Sequence, residues 1–184
     1  MPIHQLPNII SIARLFIVWP VINLYLAESY LWVLVFMVLI AASDAVDGAL
    51  ARKFKWKSKL GAILDPVADK ALIMVFFILY GFYNLIPFEL MLIVITRDFF
   101  ILTGFINLRM LDPSYTPEPD PLSKINTFFE FLFIILIMYE KVFSIDAIVI
   151  ELFSALVVAF SLASFLKYSL VWRARLNQII VGNA

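Results

Sequence analysis

Ser43-Asp44-Ala45-Val46-Asp47-Gly48 and Asp65-Pro66-Val67-Ala68-Asp69-Lys70 place four carboxylates in two otherwise apolar stretches. Asp44 and Asp47 are spaced i,i+3 and Asp65 and Asp69 i,i+4, so on helices each pair shares one face. Two such pairs can converge. Clustered carboxylates repel one another and resist desolvation unless a cation holds them. Oxygen-only ligation, without His or Cys, suits a hard divalent ion such as Mg2+ or Mn2+, and four acids suffice for two ions. Gly48 and Ala51 lie on the side of Asp44 and Asp47, leaving room for a ligand close to the backbone, and Arg52 offers a fork-shaped partner for phosphate. Capping is the competing explanation: Asp47-Gly48 would end one helix, and Asp65 would cap the next with Pro66 at its first position. Capping leaves Asp44 and Asp69 inside apolar helices, where an unpaired charge costs about 2.5–3.5 kcal/mol on the insertion scale. The metal reading is therefore preferred.

The elements that must position these acids follow from composition. Of 184 residues, 64% are hydrophobic, 16% aromatic and 15% charged, which marks an integral membrane protein. The 14 Lys and Arg balance 14 Asp and Glu, so no net field exists to attract nucleic acid. The absence of Cys excludes disulfide scaffolds, thiol nucleophiles and iron–sulfur centres, and a single His, His4, excludes a histidine-rich metal site. A helix needs about 20 residues to cross the hydrocarbon core. Six segments meet that length, near residues 8–27, 30–50, 66–83, 87–110, 123–139 and 146–170. The connections are short except for residues 51–65, which are strongly basic, and 111–122, where Pro113, Pro117, Pro119 and Pro121 exclude regular helix. Arg14, the 52–59 run, Arg109, Lys124, Arg173 and Arg175 fall on one side of six spans and Lys141 on the other. The positive-inside rule then puts both termini and both long connections in the cytoplasm. The predicted fold is an all-α integral membrane protein with six transmembrane helices, a single membrane domain over residues 1–184. Its start lacks the layout of a cleaved signal, because Arg14 interrupts the first apolar stretch.

Asp44-x-x-Asp47-Gly48-x-x-Ala51-Arg52, followed after eight residues by Gly61-x-x-x-Asp65-x-x-x-Asp69, resembles the complete signature of the CDP-alcohol phosphotransferases, membrane enzymes that make phospholipids from CDP-linked donors. Eight positions within residues 44–69 match, and the six-span length fits the whole chain. The resemblance implies a six-helix fold, a homodimer, and two divalent metals at the cytoplasmic membrane boundary. It further implies that Asp44, Asp47, Asp65 and Asp69 hold the metals, that Gly48, Ala51, Arg52 and Gly61 line the cytidine diphosphate pocket, and that Asp69 is also the general base. Pro7-Asn8-x-x-Ser11-x-x-Arg14 is similar to the opening of the bacterial phosphatidylglycerophosphate and cardiolipin synthases, with Ser11 where Thr is frequent. Asn8 and Arg14 are accordingly donor contacts, with snorkelling to the interface as the alternative for Arg14.

Arg97-Asp98 interrupts the fourth span, and an intramembrane charge is a functional hypothesis by default. The adjacent pair can partly compensate itself, but neighbours point about 100° apart on a helix, so Arg97 is expected to face a cavity or an acid on another helix. Arg97 and Lys124 are the candidates for holding an acceptor phosphate, with a positive-inside anchor as the alternative for Lys124. Synthases that use glycerol 3-phosphate carry Arg-Glu on the fourth span and Gly-Lys-x-Lys-Thr before the fifth. This chain has Arg97-Asp98 and Ser123-Lys124-Ile125-Asn126-Thr127, without the second lysine. The variant resembles the cardiolipin synthases, so phosphatidylglycerol is the favoured acceptor for phosphatidyl transfer from CDP-diacylglycerol, with glycerol 3-phosphate almost level. The basic 52–59 run, with Trp56, is read as a topology determinant, and Glu130 as a partner of Arg97 or of the site. A divalent-cation transporter is the rival of another class, yet its ligands would sit near the midplane on broken or repeated helices. A lipid-binding pseudoenzyme is the other rival, opposed by the intact signature. The compact chain points to a bacterial inner membrane.

Overall fold

The structure, a computed structural model, describes residues 6–54, 61–112 and 120–182, with side chains over 16–43, 70–112 and 120–178. Among the described residues there are six helices and no strand: α1 (Leu6–Leu26), α2 (Tyr30–Phe54), α3 (Gly61–Phe82), α4 (Phe88–Leu111), α5 (Pro121–Phe143) and α6 (Ala147–Gly182). The all-helical reading holds. Two helices, α5 and the stretch Ala147–Gln178 of α6, are long and apolar enough to cross a membrane, while Phe16–Leu26, Tyr30–Ser43 and Lys70–Phe82 are shorter apolar stretches among the residues whose side chains are described. In α4 the apolar run is broken by Arg97 and Asp98.

Several boundaries differ from the expected ones. α2 continues past residue 50 to Phe54, and α3 begins at Gly61 rather than at Pro66, so most of the expected 51–65 connection is helix. The reason lies in local propensity: Ala49-Leu50-Ala51-Arg52-Lys53 contains only strong helix formers, which carry a helix on beyond the apolar length that a membrane requires. Asp65 is therefore the fifth residue of α3 and Pro66 the sixth, and Asp47 lies well inside α2. Neither acid is at a helix end, so capping accounts for neither. α6 likewise runs to Gly182 instead of stopping near residue 170. The Pro-rich stretch 113–119, the basic stretch 55–60 and His4 lie outside the described residues.

The chain divides into two compact units, residues 1–76 with 134–150 and residues 77–133 with 151–184. In the first, α1 packs against α2 through a three-residue reversal, Ala27-Glu28-Ser29. Ala27 N–H donates to Asn23 O, Glu28 N–H to Tyr25 O and Ser29 N–H to Leu24 O, which closes the last turn with Glu28 at φ 55°. Val18, Val21 and Tyr25 of α1 and Val33 and Met37 of α2 are buried. Ser144 after α5 repeats the left-handed conformation, again at φ 55°. A side chain with a Cβ is disfavoured there by about 1–2 kcal/mol relative to the right-handed region. Glu28→Gly and Ser144→Gly are each expected to stabilise the fold by about 1 kcal/mol, read as a rise in melting temperature in detergent.

The second unit holds the end of α3, α4, the first half of α5 and most of α6. Its apolar core includes Phe77, Tyr80, Leu90, Met91, Val94 and Phe133. α3 closes on α4 at Gly81, where a Cβ would stand 2.4 Å from Met91 Sδ and 3.1 Å from Met91 Cβ and Cγ. Because Cβ and Cγ cannot swing away as a chain end can, Gly81→Val is expected to cost about 1–3 kcal/mol. Met91→Ala in the same chain should recover part of that loss, as a melting series of the single and double variants would show. Phe100 meets Phe165 at 4.6 Å and Trp172 at 5.1 Å between ring centroids, tying α4 to α6.

Large apolar side chains also face outward on every helix, among them Trp19, Trp32, Phe82, Phe99, Phe128 and Leu166, whereas Arg97, Asp98, Asn126 and Glu130 are buried. This inverted distribution suits a lipid surround. Between helices in lipid, apolar burial contributes little driving force, and close packing and hydrogen bonds decide association.

Candidate active site

Asp44 and Asp47 are carried by α2, Asp65 and Asp69 by α3, all four in the first unit. Regular helix through both positions puts Asp44 with Asp47, and Asp65 with Asp69, on common faces by the i,i+3 and i,i+4 rule. Gly48, Ala51 and Arg52 continue α2 by one to two turns, Gly61 opens α3, and Asn8 and Arg14 lie in α1. The side chains of these donor and metal candidates lie outside the described residues. Among the described residues no group of three or more His, Cys, Asp or Glu comes together. The donor set fits a hard divalent cation on its chemistry: four carboxylates, without His or Cys, at positions within two helices.

The second unit contains the acceptor candidates, and here the side chains are defined. Arg97 is 1% exposed. Its Nη1 donates to Asp98 Oδ1, and its Nη2 donates to Ser123 Oγ at 2.9 Å and to Ser164 Oγ at 2.6 Å. Among the described residues the acid that meets Arg97 is therefore its neighbour Asp98, not one on another helix. The long Arg97 side chain bends back across the 100° that separates neighbours and pairs with Asp98, while α5 and α6 supply neutral hydroxyls. A buried ion pair needs such extra hydrogen bonds to offset its desolvation. Arg97 Nε has no hydrogen-bond partner among the described residues.

One turn further along α5, Asn126 is fully buried and donates from Nδ2 to Glu130 Oε1 at 2.5 Å, while Ser161 Oγ of α6 donates to Asn126 Oδ1 at 3.1 Å. Glu130 is equally buried. Ser123, Asn126 and Glu130 stand at i, i+3 and i+7 on α5, and Ser161 and Ser164 at i, i+3 on α6, so both sets form single faces. The result is a polar seam joining α4, α5 and α6. Lys124, by contrast, is exposed at the start of α5. Just before it, Asp120 Oδ1 accepts from Leu122 N–H at 3.1 Å and from Lys167 Nζ at 2.7 Å. With Lys167 half exposed, that ion pair contributes little, about 0–1 kcal/mol.

Sequence reasoning singled out Arg97, Lys124 and Glu130 but gave no role to Ser123, Asn126, Ser161 or Ser164. The signal was available for α6: two hydroxyls three residues apart in an otherwise apolar stretch mark a buried polar face.

A family model described as CDP-alcohol phosphatidyltransferase matches residues 4–169. The chain belongs to this family. It is similar to a CDP-diacylglycerol--glycerol-3-phosphate 3-phosphatidyltransferase of Aquifex aeolicus, 30% identical over 174 residues that cover 90% of this chain and 94% of the relative. Cardiolipin synthase (CMP-forming) of Rattus norvegicus is 30% identical over 156 residues, 76% of this chain and 51% of the relative. The human protein of the same name is 28% identical over 184 residues, 89% of this chain and 61% of the relative. The chain thus matches the Aquifex protein over nearly its full length and the two mammalian ones over about half to three fifths of theirs. It is an enzyme, a transferase of phosphate-containing groups acting in phospholipid biosynthesis. The family generally uses divalent metal ions.

Proposed function

We propose that this enzyme transfers the phosphatidyl group of CDP-diacylglycerol to the hydroxyl of a glycerol-based acceptor, releasing CMP. In this reading the six helices span a bacterial inner membrane with both termini cytoplasmic, and the active chain is a homodimer. Asp44, Asp47, Asp65 and Asp69 would hold two Mg2+ or Mn2+ ions, which would supply positive charge for the donor diphosphate and the departing CMP. Gly48 and Ala51 leave space for the diphosphate, Arg52 pairs with it, and Gly61, Asn8 and Arg14 complete the donor pocket. Asp69 takes the proton from the acceptor hydroxyl, the oxygen attacks the lipid-bearing phosphorus, and the bond to CMP breaks. The four-acid, phosphate-compatible motif over residues 44–69 carries this conclusion.

For the acceptor, we favour phosphatidylglycerol, contacted by Arg97 and Lys124. The observation behind this is Asn126. It occupies the place where the glycerol-3-phosphate synthases carry their second lysine, and it is buried, neutral and engaged at both ends of its amide. A phosphate monoester dianion calls for more positive charge than a phosphodiester, so removal of one cation suits the diester. The second reading, glycerol 3-phosphate, is favoured by the near full-length match to the Aquifex enzyme. Incubation with CDP-diacylglycerol and each acceptor in turn, with mass identification of the lipid product, separates the two. Cardiolipin as the product supports the first reading, and phosphatidylglycerophosphate alone overturns it.

A further inference from the structure

The Arg97 guanidinium is fixed from three helices. Asp98 of α4 takes Nη1, and Ser123 of α5 and Ser164 of α6 both take Nη2. Because the group is planar, partners at fixed places define both its plane and the direction in which its remaining N–H groups point. Nε is the nitrogen left without a partner among the described residues, and a buried donor without one is costly unless something else reaches it. Of the two hydroxyls, that of Ser164 is fully buried and closer, at 2.6 Å. Helix packing alone would be served equally well at this position by alanine, another small residue. The hydroxyl therefore has a use beyond size.

From this geometry we infer that Ser164 is a positioning residue for acceptor recognition: with Ser123, it sets the direction in which Arg97 presents its remaining N–H groups to the acceptor phosphate. The inference rests on the acceptor role of Arg97 proposed above. Without the Ser164 hydroxyl, the guanidinium keeps Asp98 on Nη1 and Ser123 on Nη2 among the described residues, so its plane is held at two points instead of three. The charge stays in place while its aim is loosened. This predicts weaker acceptor binding and an unaltered donor site.

The test uses the full chain in detergent micelles with CDP-diacylglycerol and phosphatidylglycerol, measuring initial rates against each substrate for Ser164→Ala, Ser164→Thr and Arg97→Lys. Ser164→Ala is expected to raise the acceptor KM about tenfold, the size of one hydrogen bond to a charged group, with kcat and donor KM within about twofold. Ser164→Thr, which restores the hydroxyl, should return the acceptor KM to near its starting value. If Arg97→Lys raises the acceptor KM and Ser164→Ala does not, the positioning role is overturned while the acceptor reading stands. An unchanged acceptor KM in Arg97→Lys overturns the reading beneath it. Equal changes in both KM values with a lowered melting temperature in Ser164→Ala, unrelieved by Ser164→Thr, would make Ser164 a packing residue only.

Discussion

Asp69→Asn is expected to lower turnover by at least about 10³-fold while leaving the protein folded, because on the proposed mechanism it removes the general base and weakens a metal ligand. The residue lies in α3 one turn after Asp65, which puts the two positions on one face of the helix. The change is nearly isosteric, and the amide retains hydrogen-bonding capacity, so the helix should persist. Steady-state CMP release and a melting curve on the same preparation check both halves. Turnover near normal would remove Asp69 from the mechanism. Loss of turnover together with loss of folding would reassign it to structure.

Asp98→Ala is expected to have the largest effect on stability, about 3–5 kcal/mol, since it strips the carboxylate from a guanidinium that is 1% exposed. The two serines that also contact Arg97 are neutral and cannot replace that charge. Replacing Arg97 and Asp98 together by Met and Leu should cost much less, because no uncompensated charge is left behind. Thermal denaturation of the single and double variants gives the comparison. A single variant as stable as the double would mean that the pair contributes no net charge compensation.

The all-helical architecture was readable because apolar segments of membrane-crossing length dominate the sequence, separated by short reversals and two polar connections. Their ends were less readable. Apolar length marks where a helix leaves hydrocarbon, whereas α2 continues through Ala51 and Arg52 to Phe54 because nothing there breaks a helix. Pro66 suggested a start, yet α3 opens five residues earlier at Gly61. The reversals at Glu28 and Ser144 use left-handed residues without glycine, so no turn signal announces their conformation.

For the candidate site, the acidic motif was explicit in residue types and spacing, since carboxylates in apolar helices are conspicuous. The seam of α4, α5 and α6 was legible only in part. Arg97 stood out by charge, but its partners depend on which faces of three helices meet, and that is tertiary information. Asn126 looked like a missing lysine; its burial between Glu130 and Ser161 gives the substitution a structural role.

On the proposed mechanism the four-aspartate motif carries out metal-dependent phosphatidyl transfer from a CDP-linked lipid. The most direct test is CMP release by purified protein with CDP-diacylglycerol and a glycerol-based acceptor, with Mg2+ or Mn2+, after chelation, and in Asp47→Ala. Release that requires both acceptor and metal, that chelation abolishes and metal restores, and that Asp47→Ala lacks is the predicted result. Release that survives chelation, or that Asp47→Ala retains in full, would contradict the account.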